Sequence, residues 1–429
     1  MTRRSTVAST SSTTSSSNPG VDHPVRITAV ETILLTGPSS NDPWITFAKQ
    51  TRTVALVRVT SDSGLTGIGE TYCGYFAPEL VDPVVELIRP ILTEGDGTDP
   101  VTLGDRMRLC LGYAARVGVV RAAIGAVEAA LWDLRGKAEG VPAYQLMGGL
   151  QHQRLPAYAT GGPSPWPAEF LLQKAERYAE LGFTALKVAT GGMDQQTRRD
   201  LPVPGGRDAA PEWEVEKLRL LRDRLGPEFG LLLDGHMGGG RSEVWDLELA
   251  TRVLRAIEEF DPILVEEPLP YTDPDAYAEL RRRTSIPIAG GEQLSSAAEF
   301  ALWLDRDAFG VAQPDAAWLS PSEFLTVAAN AAARGARIAS HNWCGGAGVM
   351  QNVHCAFACA NTLIVELLPD AGPLHTRLWG DQLMLEDGQL LPPTAPGFGV
   401  RVDDRLLADF PYRKGHEEFV SVPGKVLRT

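Results

Sequence analysis

Seven ionisable side chains carry the chemistry that this sequence suggests. Lys187, Asp234, Glu266, Glu292, Asp315, His341 and Glu366 each close a short apolar run, at successive separations of 47, 32, 26, 23, 26 and 25 residues. Each separation spans one strand-plus-helix unit, or one unit with an insertion. A single acid after an apolar run is ordinarily a solvated loop residue, whereas seven ionisable groups at one register are hard to obtain by chance. Asp234, Glu266 and Glu292 close three successive units. Three clustered carboxylates repel one another and raise their pKa values unless a cation compensates them. An all-oxygen set that leaves room for water and substrate suits Mg2+ or Mn2+ better than zinc. A zinc hydrolase would want a His pair early in the repeat, and the first unit ends in Ala159-Thr160-Gly161-Gly162 instead. Asp315 and His341 close neighbouring units. A carboxylate beside an imidazole fixes its tautomer and raises its basicity, which makes His341 a general base near neutral pH.

The elements that must position these groups are eight apolar runs: LPAYAT, TALKVAT, GLLLDG, ILVEEP, IPIAGGEQ, FGVAQPDAAW, RIASHNW and TLIVELLP, separated by seven helical stretches. Continuous apolar strands joined by helices demand a parallel sheet buried on both faces, and eight of them predict a closed (β/α)8 barrel. In such a barrel the C-terminal strand ends share one mouth, so the seven side chains converge there. Before the barrel, residues 26–37, 53–60 and 65–69 read as strands, with a Ser61-Asp62-Ser63-Gly64 turn between the last two. The chain turns helical after Phe76, and Val119 to Gly140 reads as an amphipathic helix. Strands followed by helices without alternation predict a small α+β domain. The expected organisation is a disordered Ser/Thr-rich tail over 1–24, an α+β capping domain over 25–150, the barrel over 151–379, and a segment over 380–429 that returns to the capping domain.

Composition bounds the partners. With 54 acidic against 40 basic residues the net charge is −14, which argues against nucleic acid or an anionic membrane as a main partner. No run approaches the length of a membrane span, and the N-terminal tail lacks the apolar core of a secretory signal. The five cysteines contain no C-x-x-C pair, so a disulfide framework is not expected and a reducing cytoplasm fits. Cys355 and Cys359 read as small core residues. His354 reads as packed within a helix, His375 as able to reach the mouth, and His23, His152 and His416 as surface or linker residues.

The acid trio in LLLDGH, VEEP and GGEQ, followed by QPD and SHN, resembles the mandelate racemase branch of the enolase superfamily. The likeness covers nearly the whole chain after the tail, including the AIGAVEAALWDLRGK helix and the APGFGV segment. By that resemblance Asp234, Glu266 and Glu292 hold Mg2+, His341 with Asp315 is the base, and Glu366 hydrogen-bonds the substrate or intermediate. Glu267 is placed behind the ligands rather than among them. The resemblance implies a small carboxylate substrate and, by analogy alone, a homo-oligomer. Members with bases on both faces of the substrate often carry K-x-K at the second strand, but this chain reads Lys187-Val188-Ala189. Lys187 is left to balance substrate or intermediate charge, and a two-base racemase is disfavoured.

His236, two residues after Asp234, is similar to the histidine that protonates the departing hydroxide in galactonate and mannonate dehydratases. Strand alternation puts it on the same side as Asp234. The function implied is a Mg2+-dependent acid-sugar dehydratase. A cycloisomerase, lactonising enzyme or epimerase of the same superfamily is the alternative, and a non-catalytic barrel is a third reading that only the missing lysine favours. Specificity is expected from capping-domain loops, with Trp44, Lys49 and Tyr72 as candidates.

Overall fold

The structure is a computed structural model that describes residues 25–45, 50–94, 98–197, 199–238 and 244–418. The tail over 1–24, His23 and Lys49 lie outside the described residues. The first domain is an antiparallel sheet of strands Ile27–Pro38, Thr51–Ser61 and Thr66–Thr71, in that spatial order. Three helices pack against it: Val81–Thr93, Pro100–Leu111 and Val119–Glu139. No described helix is long and apolar enough to cross a membrane.

The helix over Val119–Glu139 departs from the amphipathic expectation: every residue from Ala122 to Leu134 is buried. It lies between the sheet and the barrel, and small residues let backbones touch on both sides. A Cβ on Gly69 would meet Ala126 O at 2.0 Å, and one on Gly125 would meet Leu319 O at 2.0 Å. Its two buried acids are paired. Glu128 takes Arg108 Nη1 at 3.1 Å and the Ser322 amide of the barrel at 3.0 Å. Asp133 takes Lys137 Nζ at 2.6 Å and the amides of Ile68 and Phe398 at 2.8 and 2.7 Å. One helix thereby fixes the sheet, the barrel and the C-terminal segment to each other.

Eight parallel strands form the barrel: Leu155–Thr160, Ala185–Ala189, Gly230–Asp234, Val265–Glu266, Ile288–Gly290, Val311–Ala312, Arg337–Ile338 and Val365–Leu367. The eighth strand pairs with the first, and the Ile338–Thr362 bridge joins the seventh strand to the run before the eighth. The barrel is filled by Tyr158, Ala185, Leu232, Leu264, Ala289, Val311, Ala339 and Ile364. Strand alternation then sets the layer above it. Two residues beyond Ala185, Leu232, Leu264, Ala339 and Ile364 stand Lys187, Asp234, Glu266, His341 and Glu366. An apolar plug is thus overlain by an ionisable ring.

The C-terminal segment divides its contacts. Its hairpin, Leu385–Glu386 and Gln389–Leu390, pairs antiparallel with the start of the first barrel strand. Beyond it the chain crosses to the first domain through the Pro142–Gly397 and Leu35–Pro411 bridges. It then brings Glu418 to Arg52 at 2.5 Å.

Gly125→Ala has no side chain to push aside, only backbone, and overpacking of this kind costs about 1–3 kcal/mol. The urea midpoint should fall even though alanine is the better helix former. An unchanged midpoint would mean that the helix does not bear directly on the barrel.

Candidate active site

A cavity of about 920 Å³ opens at the C-terminal mouth of the barrel. Lys187, Asp234, His236, Glu292, His341 and Glu366 all line it, together with capping-domain residues Ile45, Tyr72 and Phe76. Their register is less uniform than the sequence implies. Lys187 and Glu366 lie within their strands, Asp234 and Glu266 end theirs, and Glu292, Asp315 and His341 fall two or three residues beyond. Glu292 also breaks the alternation that its neighbours obey, because Gly291 (φ +122°) takes a backbone that favours glycine and re-aims the chain.

The centre of the site is Lys187. Its Nζ lies 2.6 Å from Glu266 Oε2, 2.9 Å from Glu366 Oε1 and 3.2 Å from Asp234 Oδ2, with the Tyr158 ring 5.6 Å away inside the barrel. Burial alone would lower its pKa, but Glu266 and Glu366 outweigh burial and hold the ammonium charged. The same cation opposes the burial penalty on Glu366 and keeps that carboxyl below its usual range. Glu266 differs. Burial and the nearby Asp234 push it up to about 8, and its Oε1 is buried without a hydrogen-bond partner. It lies beneath the cavity and not on its wall. Glu267 is also buried, takes Gln293 Nε2 at 3.3 Å, and is raised by burial and by Glu292.

His341 Nδ1 sits 2.9 Å from Asp315 Oδ2, and its Nε2 sits 3.5 Å from Glu292 Oε2. Burial lowers the imidazole, but the Asp315 hydrogen bond and Glu292 raise it to about 10. Asp315 lies behind His341, off the cavity. His236 does not extend the third strand as its spacing implied. The strand ends at Asp234, and His236 takes a left-handed backbone (φ +49°) that turns the chain. The turn nevertheless brings Nδ1 to 3.0 Å from Asp234 Oδ1, with the side chain 41% exposed to the cavity. Burial works against its charge, and Asp234 overcomes this to push it up to about 10.

Among the described residues, no three His, Cys, Asp or Glu side chains stand as a ready metal cluster. Asp234 and Glu266 converge on Lys187, while Glu292 faces His341. Of the specificity candidates, Tyr72 lines the cavity, with its ring 5.5 Å from that of His341, and Trp44 is not on the wall. His375 is fully buried and off the cavity, so it does not reach the mouth. His354 is buried and stacks on Tyr144 at 5.4 Å. All five cysteines are free, and Cys355 and Cys359 are buried.

Several residues at the site carried no local signal in the sequence. Trp318 and Trp343 form cavity wall. Glu418 comes from the far C-terminal segment to accept Trp343 Nε1 at 2.6 Å while pairing with Arg52. Asn342 donates its amide to Glu366 Oε2 at 2.7 Å, and Asn352 donates to Asp315 Oδ1 at 2.8 Å. These contacts join segments remote in sequence, so no motif announces them.

Fold and site together define a capped barrel enzyme with acid–base groups around one mouth. The chain belongs to the mandelate racemase/muconate lactonizing enzyme family of the enolase superfamily. Residues 39–148 match the N-terminal domain of that family and residues 171–406 match the enolase C-terminal-domain-like family. It is 29% identical to a D-galactonate dehydratase of Xanthomonas oryzae over 364 residues, covering 82% of this chain and 89% of the relative. It is 31% identical to an L-rhamnonate dehydratase of Saccharopolyspora erythraea, covering 83% and 85%. Among solved structures, the 3,6-anhydro-D-galactonate cycloisomerase from Zobellia galactanivorans superposes with a TM-score of 0.76 at 27% identity, over 90% of this chain and 100% of that one. The L-talarate dehydratase from Polaromonas sp. JS666, complexed with Mg and L-glucarate, superposes with a TM-score of 0.74 at 26% identity, over 90% and 98%.

Lys187→Met would leave buried carboxylates without their shared cation, a change that costs about 3–5 kcal/mol where one partner of a buried pair is removed. Thermal unfolding of the metal-free protein should therefore fall steeply. A melting temperature equal to that of the unaltered protein would show that the ammonium does not hold this cluster.

Proposed function

We propose that this enzyme is a magnesium-dependent acid-sugar dehydratase, removing the proton α to a carboxylate and eliminating the β-hydroxyl to give a 2-keto-3-deoxy acid. The observation that carries the reading is that two histidines line one cavity, each hydrogen-bonded through Nδ1 to its own carboxylate. β-Elimination of water needs one group to take a proton and another to give one. His341, oriented by Asp315, takes the α-proton on Nε2. The electron pair of the broken C–H bond then expels the β-hydroxyl, which leaves as water with a proton from His236. The resulting enol tautomerises to the keto acid. Lys187 and Glu366 flank the developing charge. The names of the two dehydratase relatives support the same chemistry.

The donor set fits a hard divalent cation. Asp234, Glu266 and Glu292 would hold it, and Glu266 Oε1 is a buried oxygen that already lacks a partner. A Mg2+ held there would supply Lewis-acid charge at the substrate carboxylate and would offset Asp234 and Glu292, which help to raise His236 and His341.

A second reading, cycloisomerisation, is favoured by the likeness to the Zobellia cycloisomerase and by the sufficiency of one base for elimination in either direction. A two-base epimerase is disfavoured, because Ala189 stands on the cavity wall where the second lysine would be. Product analysis with a panel of aldonic and aldaric acids separates these readings. A dehydratase forms a keto acid with loss of water, an isomerase conserves mass, and either activity should disappear in EDTA.

His341→Asn should reduce turnover by about 10²–10⁴-fold, the usual contribution of a general base. Calorimetric Mg2+ affinity should be kept; near-full activity would remove His341 from the reaction. Mg2+ at about 100 times its Kd should stabilise the protein by about 2.7 kcal/mol. Glu266→Gln should lose most of that gain, and an undiminished gain in this variant would exclude Glu266 as a ligand.

A further inference from the structure

Asp315 must present one particular oxygen to His341, and the contacts around it show what keeps it so. Oδ2 receives His341 Nδ1 at 2.9 Å and Cys344 Sγ at 3.4 Å. Oδ1 receives the Ala317 amide at 2.8 Å and Asn352 Nδ2 at 2.8 Å. Asn352 lies inside the helix Gly346–Ala358 and is fully buried. Its orientation is unambiguous. Oδ1 accepts the Ala316 amide at 2.8 Å, and a flipped amide would set its oxygen against the Asp315 carboxylate and its NH2 against the Ala316 N–H.

The second N–H of Asn352 is shared between Asn342 Oδ1 at 3.3 Å and Gly348 O at 3.2 Å. Asn342 immediately follows the base and grips Glu366 twice, through its backbone amide at 2.7 Å to Oε2 and its side-chain amide at 2.9 Å to the carbonyl. One buried amide therefore links the carboxylate behind the base to the residue that holds Glu366.

We propose that Asn352 is a positioning residue for the reaction, fixing Asp315 and through it His341, and setting the base against the Glu366–Lys187 side of the site. It touches neither substrate nor cavity, and it acts only through Asp315 and Asn342. The inference rests on His341 being the base in the function proposed above. A merely structural amide would affect stability, whereas a positioning amide affects turnover in the folded enzyme and does so only while Asp315 is present.

The test uses Asn352→Leu, similar in volume, and Asn352→Asp, which keeps the acceptor for the Ala316 amide and replaces the donor to Asp315 with a like charge. In the full-length enzyme kcat should fall about 10- to 100-fold with KM nearly unchanged, the scale of a small misplacement of a reacting group. Asn352→Asp should be at least as slow as Asn352→Leu. Asn352→Leu added to Asp315→Asn should cost little more, since contacting residues that act together are not additive.

A readout independent of turnover is the downfield proton resonance of His341 Nδ1–H, assigned by its loss in Asp315→Asn. It should shift or broaden in both Asn352 variants. An unmoved resonance with kcat within about twofold of the unaltered enzyme, or losses that multiply in the double variant, would overturn the proposal. Absence of α-proton removal by the unaltered enzyme would instead refute the proposed function, and the resonance would still decide the role of Asn352.

Discussion

The site is organised around one unfavourable arrangement: carboxylates gathered at the end of an apolar barrel interior, with Lys187 set among three of them and His236 and His341 paired to Asp234, Asp315 and Glu292. Asp234, Glu266 and Glu366 all reach Lys187 within 3.2 Å, and Glu267 stands close by, raised by burial and by Glu292. Burial and Asp234 leave Glu266 raised in spite of Lys187, while Asp234 raises His236 and the Asp315 hydrogen bond, together with Glu292, raises His341. Such a cluster is costly in a low-dielectric setting unless more positive charge arrives. A divalent cation held by Asp234, Glu266 and Glu292, as proposed above, would relieve that cost.

The rest of the molecule keeps this cluster in register. Beneath it the apolar layer from Tyr158 to Ile364 closes the barrel. Above it the capping domain grips the loop and helix that carry His341 and Asn352. The Glu70 carboxylate takes the Gly348 amide at 2.8 Å, its backbone N–H donates to Gln351 Oε1 at 2.6 Å and its carbonyl accepts from Gln351 Nε2 at 3.3 Å, while Arg52 reaches Cys344 O at 3.2 Å. Tyr75 joins Glu70 to the Gly345 amide. The C-terminal segment adds Glu418 between Arg52 and Trp343. Capping domain, barrel and C-terminal segment thus meet behind His341, the base proposed above.

Much of this was legible from the chain. The barrel follows from eight apolar runs at regular spacing, and alternation explains why Lys187, Asp234, Glu266, His341 and Glu366 share one face above the plug. What could not be read were departures from alternation and contacts made across the fold. Glu292 is re-aimed by Gly291, and His236 arrives beside Asp234 through a left-handed turn and not along a strand. The helix over Val119–Glu139 looked one-sided because its buried Glu128 and Asp133 have partners supplied from distant segments. Asn342, Asn352 and Glu418 have no meaning until residues far apart in sequence are brought together. Lys187 had a legible place, but its pairing with two of the expected metal ligands depends on side-chain geometry.

The most direct test of the account is proton NMR in D2O on a pair of acid sugars that differ only in configuration at C2, with the enzyme and Mg2+. With His341 as the single proposed base and Ala189 where a second would stand, only one epimer should lose its α-proton signal, and a 2-keto-3-deoxy product should appear in step. Exchange at C2 in both epimers would contradict the single-base site. Undiminished reaction after EDTA would contradict the proposed divalent cation.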